Sequence, residues 1–239
     1  MNYTAKLTGR KLIAEETMAF LFEKPEGFEF HAGQFCLLSL PDIGFQDEKG
    51  LRRPLSIASS PFDNDLMFVA KMSGSAFKKT LREMPAGTAV TIDGPHGSFI
   101  LPEDTSIPVV FIAGGIAIIP FRSMVLYVAE ASTKHTITLF YSSRTPQEAA
   151  FLKELQDMAK THRNIRLVAT MTRVPEQSEA WSGLTGRINP AIIMDNCKEW
   201  QDALYYVSGS SGMVDGIRSM LTGMKIKKER IRKEKFTGY

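Results

Sequence analysis

Cysteine is scarce in this sequence: Cys36 and Cys197 are the only two among 239 residues. Thiols that far apart form no C-x-x-C redox pair, and two are too few for a four-thiolate iron–sulfur cluster. Both read as inert buried side chains. Histidine is equally sparse, and His31, His96, His135 and His162 show no metal-ligand spacing, so no metal site is expected. Nor does their order along the chain point to a hydrolytic Ser/His/Asp arrangement.

Long hydrophobic runs are missing too. The longest nearly unbroken apolar stretch, residues 107–121, is interrupted by Pro108, Gly114, Gly115 and Pro120, and it falls short of the ~20 residues that span a bilayer. Membrane insertion is therefore not expected. The opening residues, MNYTAKLTGRKLIAEE, hold no apolar segment followed by a small-residue cleavage site, so no secretory signal is expected and the cytoplasm is the expected location. Internal repeats and low-complexity tracts are absent.

What is present begins with an uneven charge. The net charge is +3, yet residues 225–235 (KIKKERIRKEK) carry seven Lys/Arg against two Glu, which leaves the remainder slightly acidic. Such a run is either a solvated basic face or a docking surface for an acidic protein or a phosphate. No nucleic-acid recognition motif accompanies it, and nucleic-acid binding is not expected.

The hydrophobic period divides the chain in two. Over the first hundred residues, short strand-like runs at 17–23, 34–40, 55–59, 66–72 and 89–93 are separated by turn residues such as Pro25 to Gly27, Asp63 to Asp65 and Pro85 to Gly87. That spacing predicts an antiparallel sheet or barrel, with one helix over 75–83. From Ile107 onward, apolar β-rich runs at 109–113, 136–141, 165–171 and 204–208 alternate with helical patterns at 121–130, 147–160 and 213–221. Alternation of this kind predicts a parallel α/β sheet. The polar, proline-flanked stretch 102–108 is the natural boundary, giving expected domains of 1–104 and 105–239.

Three segments carry chemistry. In Arg52-Arg53-Pro54-Leu55-Ser56, a guanidinium precedes a hydroxyl by three residues. The planar fork of Arg suits a diphosphate, at ~1.5–3 kcal/mol per charge-assisted bond. A small hydroxyl suits the reactive edge of a flavin. In Lys71-Met72-Ser73-Gly74-Ser75-Ala76-Phe77, a Gly-Ser turn opens the helix of the first half. Its N-terminus offers free N–H groups to a phosphate, or Ser75 simply caps its own helix. In residues 109–120 (VVFIAGGIAIIP), a buried strand enters a glycine turn and then a helix with proline near its start. A dinucleotide-binding βα turn has that order, although the GxGxxG fingerprint is not matched.

Taken in sequence, RRPLSIASS, KMSGSAF, GPHGSF, AGGIAIIPFRSM, YSSRTPQEAAFLKEL, YYVSGSSGMV and a terminal KFTGY resemble the ferredoxin–NADP reductase family over almost the whole chain. The resemblance implies an N-terminal antiparallel Greek-key flavin barrel followed by a Rossmann-like NAD(P) domain, with FAD and NADH or NADPH as cofactors. It implies that Arg53 binds the FAD pyrophosphate, with Pro54 and Leu55 beside it and Ser56 at flavin N5. Leu55 stands where the family has a ring-stacking aromatic, a loss of about 1 kcal/mol. By the same resemblance Gly74 and Ser75 form the pyrophosphate loop, with Ala70, Lys71 and Ala76 also among the cofactor-binding residues, while Gly94, Pro95 and Gly97 are structural.

In the nucleotide half the family pattern GGxGxxP meets Gly114, Gly115, Ile116, Ala117 and Pro120, with Ala117 in place of the third glycine and Ile119 in place of threonine. A positive φ at that alanine would cost about 1–2 kcal/mol. Ser208 replaces the family's cysteine facing the nicotinamide, and is followed by Gly209, Ser210 and Met213. Phe236 and Tyr239 correspond to C-terminal aromatics near the flavin, and Tyr239 would guard the ring until nicotinamide displaces it. Arg144, after the second strand of this half, is either a contact to a 2′-phosphate or a surface residue.

Catalytic roles are thus expected for Ser56, Ser208 and Tyr239. The implied activity is electron transfer from NAD(P)H through FAD to a separate carrier such as ferredoxin, flavodoxin or an oxygenase component. The alternative is a flavin-binding electron-transfer subunit with weakened NAD(P)H use, favoured by Ala117, Ile119 and Ser208.

Overall fold

A computed structural model describes residues 1–174 and 181–236. The first half is a six-stranded antiparallel sheet made of β1 (Asn2–Ala14), β2 (Thr17–Glu23), β3 (Phe35–Ser39), β4 (Arg52–Ser56), β5 (Asp65–Lys71) and β6 (Ala89–His96), with α1 (Ala76–Glu83) between the last two. Strand order is β4-β3-β6-β1-β2-β5. An isolated bridge from Ile57 to Phe68 brings the end of β4 against β5, so the sheet curls round into a barrel.

Inside it, alternate residues point inward, as the strand period requires. Ala5 and Leu7 of β1 meet Phe20 and Phe22 of β2, Leu66 and Phe68 of β5, and Ile92 of β6. The helix α1 closes one end with Phe77 and Leu81, which lie four residues apart on one face. Ser75 caps its start, and it stops at Met84, before Pro85.

The second half is a parallel sheet with helices on both faces. Its strands are β7 (Val109–Gly114), β8 (Ile137–Ser143), β9 (Ile165–Met171), the two-residue β10 (Leu184–Thr185), β11 (Leu204–Gly209) and β12 (Ile231–Lys235). The helices are α2 (Ile119–Glu130), α3 (Leu152–Thr161), α4 (Pro190–Asn196) and α5 (Ser211–Gly223). Strand order β10-β9-β8-β7-β11-β12 reverses direction between β7 and β11, the switch point where such sheets bind ligands.

Burial on both faces explains why β7 reads as an unbroken apolar run. Val109, Phe111 and Ala113 face α2 and α3, whereas Val110 and Ile112 face α5. The core on the α2 side also takes in Ala19, Ala58, Met67 and Val69 of the first half, so the two halves share one hydrophobic interface. The connecting residue Ile100 accepts hydrogen bonds through its carbonyl from Tyr206 (2.6 Å) and Arg232 (2.8 Å).

Several expectations change. β1 was not anticipated, though Tyr3, Ala5 and Leu7 alternate as a strand should. β4 begins at Arg52, earlier than the apolar run beginning at Leu55. The helix expected from 147 starts at Leu152, because residues 145–150 form turns and Phe151 has a left-handed φ of 60°. The basic run at the end contains β12, so it is part of the sheet rather than only a solvated face.

No helix among the described residues is long and apolar enough to cross a membrane.

Candidate functional site

A cavity of about 590 Å³ opens between the two halves, within the size range of small-molecule sites. The barrel contributes Arg53, Pro54, Leu55 and Ser56 from β4, Ala70 and Lys71 from β5, and Ser75 and Phe77 at α1. The second half contributes Ile116 and Ile119 from the turn after β7, and Glu234, Lys235 and Phe236 at the end of the described residues.

Arg53 is placed by the pairing of β4 with β3, where it stands opposite Leu38. Its Nη1 donates to the carbonyls of Lys49 (2.5 Å) and Arg52 (2.7 Å), which fixes the guanidinium plane. Nη2 is buried with no hydrogen-bond partner among the described residues. An unpartnered buried guanidinium donor costs free energy unless an anion arrives. Lys78 is held below the usual lysine range by burial first and then by Arg53 and Lys71. This crowding of cations suits a diphosphate.

One anion already lies there. Asp47, in the loop before β4, accepts from the N–H of Ala76 at the start of α1 (2.8 Å) and stands 3.7 Å from Arg53 Nη2. The Ala76 N–H is the main reason its carboxyl sits below the ordinary range. The helix N-terminus expected to meet phosphate thus meets a carboxylate of the protein itself. Ser75 also caps the helix, its Oγ accepting from Lys78 N at 3.5 Å, while Gly74 is exposed.

In the second half, Gly115 takes φ 55°, a conformation that favours glycine, and the turn continues as a short 3₁₀ segment, Gly115–Ile118. Ala117 lies within that segment, buried and without a positive φ, so the strain expected from a methyl there does not arise. Pro120 opens α2 and is buried behind the turn. A Cβ on Gly114 would fall 2.1 Å from Met213 Sδ, and one on Gly209 would fall 2.9 Å from it. Met213 therefore fills the space over both glycines at the switch point.

Ser208 is fully buried, and its Oγ has no partner among the described residues. Ser210 caps α5. Arg144 lies just beyond β8, exposed, with Glu148 3.7 Å away; Glu148 in turn pairs with Lys71 at 3.2 Å. Phe236 bonds through its N–H to Gly209 O (2.9 Å) and lines the cavity. Tyr239 lies outside the described residues.

Besides Asp47, sequence reasoning missed Glu234. It stands in register with Ser208 on the neighbouring strand, lines the cavity, and has a buried Oε2 with no partner among the described residues. Burial pushes its carboxyl up to about 7. The available signal is an acid inside a basic run next to a terminal aromatic, and the net positive charge of that run masks it.

Residues 111–219 match the family model of the oxidoreductase NAD-binding domain. The terephthalate 1,2-dioxygenase reductase component 1 of a Comamonas species is 26% identical over 230 residues, covering 93% of this chain and 65% of the relative. Sulfhydrogenase 1 subunit gamma of Pyrococcus furiosus is 30% identical over 190 residues, covering 76% of this chain and 61% of that subunit. The chain thus spans less than two thirds of the length of these relatives. A ferredoxin NADP+ reductase from Neisseria gonorrhoeae, solved with bound FAD and NADP, superposes with a TM-score of 0.78 over 98% of both chains at 23% identity. Barrel and parallel sheet follow one another here as they do in that fold.

Proposed function

We propose that this chain, a module of the ferredoxin–NADP reductase type, binds FAD on its barrel and a reduced nicotinamide coenzyme on its parallel sheet, and passes electrons to a separate acceptor. The observation that carries the reading is the shared cavity, in which Arg53 and Ser56 of one half face the turn after β7, Glu234 and Phe236 of the other. FAD supplies a ring system that takes a hydride from NADH or NADPH and releases electrons singly. The chain's own residues bind and orient.

The Nη2 of Arg53, which makes no hydrogen bond among the described residues, would neutralise the diphosphate, with Lys78 and Lys71 nearby. Ser56 would offer its hydroxyl to the reacting edge of the ring, and the Gly114–Gly115 turn would bring backbone N–H groups to the coenzyme pyrophosphate. The buried hydroxyl of Ser208 and the carboxyl of Glu234 would hold the nicotinamide end, with Gly209, Ser210 and Met213 shaping its floor. Tyr239 would cover the site from the terminus, and Arg144 would meet the adenosine end. Positioning then does most of the catalysis, with no strong acid or base needed.

We assign residues 1–104 to the FAD domain and 105–239 to the NAD(P) domain. A ferredoxin, a flavodoxin or an oxygenase component is the proposed acceptor; the Comamonas relative is named as a dioxygenase reductase component. A cytoplasmic setting suits the two free, buried cysteines.

The test is spectroscopic. Protein reconstituted with FAD should be yellow, and anaerobic NADH or NADPH should bleach it. Failure to take up FAD would overturn the proposal. Ser208 in the place of the family's cysteine favours one second reading, a flavin-bearing transfer subunit with weakened coenzyme use. Stable flavin that neither coenzyme bleaches would select it.

A further inference from the structure

Arg122 is a buried guanidinium that none of the roles above employs. It lies in the first turns of α2, with its side chain 9% exposed, and points away from the cavity into the junction between the halves. Nη1 donates to the carbonyl of Ala58 at 2.5 Å. Nε and Nη2 donate to the two carboxylate oxygens of Glu154 on α3, at 2.7 and 2.6 Å. The cation also stands 4.4 Å from the centre of the Phe151 ring. Three donors on one rigid plane therefore join three separate elements.

The next residues reinforce the join, since Ser123 Oγ donates to the carbonyl of Ser59 at 2.7 Å and Ser60 Oγ bonds Glu130 at the far end of α2. The segment so gripped, 58–60, begins two residues after Ser56. On the other side, α2 grows directly out of the Gly114–Gly115 turn. A short, stiff path thus runs from the turn, along α2, through Arg122, to the strand that carries Ser56.

Buried ion pairs contribute little net stability, because desolvation offsets their attraction, and apolar residues of similar volume often serve as well. What a planar, forked donor adds is a fixed angle. Hydride transfer is sensitive to such an angle, since the reacting atoms must lie about 3–3.5 Å apart and a 1 Å misplacement can cost ~100-fold.

We propose that Arg122 is a positioning residue that fixes the orientation of the nucleotide half against the barrel, and with it the distance the hydride crosses. The hydride part of this inference rests on the reading of the site given above; the orientation part does not.

The test uses the full chain with spin labels on cysteines introduced at the exposed Lys11 and Lys160 (K11C, K160C), the native cysteines being buried. Arg122→Met combined with Glu154→Gln leaves no lone buried charge. Its label-to-label distance distribution, measured without flavin, should broaden relative to the parent. With FAD bound, the limiting rate of bleaching by coenzyme should fall about tenfold or more while flavin stoichiometry is kept. Arg122→Lys retains one donor for Ala58 and should fall between the two; it decides the matter if the double variant does not fold. A distribution as narrow as the parent's in the folded variants would overturn the proposal, as would an unchanged limiting rate in flavin-loaded variants. Colourless parent protein would instead defeat the cofactor assignment, and the distance measurement would still judge Arg122.

Discussion

Ser208 and Glu234 sit side by side on the parallel strands β11 and β12, each presenting a buried oxygen that no described group satisfies. Two such atoms in register form a small polar patch toward the carboxyl ends of these strands. The patch has consequences for pH and for stability that can be separated by mutation.

For Glu234 the sign follows from burial. Its carboxyl is raised from an ordinary 4.5 to about 7, so between those values the folded protein holds a proton that the unfolded chain has released. Stability from this group is complete below pH 4.5, falls as pH rises toward 7, and is flat above. Glu234→Gln should remove that slope. Melting temperatures of both proteins across pH 4.5–7.5 are the check, and parallel curves would defeat the assignment.

For Ser208 the expectation is a gain in stability. A buried hydroxyl without a partner is penalised by about 1–3 kcal/mol, so Ser208→Ala should raise the melting temperature by roughly 2–12 °C. The same change should slow bleaching by coenzyme. A lower melting temperature would mean that the hydroxyl is satisfied after all.

Arg53→Ala removes the only guanidinium lining the cavity among the described residues. Loss of its charge-assisted bonds should weaken FAD by about 2 kcal/mol, roughly thirtyfold. Ser56→Ala should retain FAD and slow its reduction. Fluorescence titration of flavin separates the two outcomes, and full FAD affinity in the Arg53 variant would refute its role.

Asp47 should act in the opposite direction to Arg53. Its carboxylate occupies the Ala76 N–H that a phosphate would use, so Asp47→Ala should tighten FAD by roughly two- to fivefold. Riboflavin, which has no phosphate, is the control and should bind both proteins equally. Equal tightening of riboflavin would point to a loop rearrangement instead.

Much of this architecture is legible in the sequence because two hydrophobic periods meet near residue 105. The run that became β7 is short and apolar throughout, as a strand covered on both faces must be, and those of β8, β9 and β11 are largely so. β1 is hard to read because its inward residues are of mixed character: Tyr3, Ala5 and Leu7 alternate with Asn, Thr and Lys, so strand-favouring Tyr and Thr are diluted by Asn, Ala and Lys. Only pairing with β2 and β6 makes it a strand.

The site was legible where a motif is local. Arg53 and Ser56 lie three residues apart on one strand, and Gly115 shows its positive φ through its identity. Glu234 and Asp47 are different, because each matters through a neighbour far along the chain, Ser208 in one case and Ala76 in the other. Arg122 belongs with them: a basic residue in an apolar helix reads as a solvent-facing side chain until Glu154 and Ala58 are seen beside it.

The barrel has a seam. β4 and β5 are the two ends of the first sheet's strand order, and one bridge, Ile57 to Phe68, links them. Both line the cavity, so its wall is made of strand margins whose main-chain amides and carbonyls lack the neighbour that an inner strand would have. Pro54, with no N–H to offer, is at home on such a margin. A flat heterocycle seated there would act as a spacer between the margins; stripped of it, the same rim is a template for another polypeptide. Flavin-free protein should consequently self-associate more readily than the loaded form.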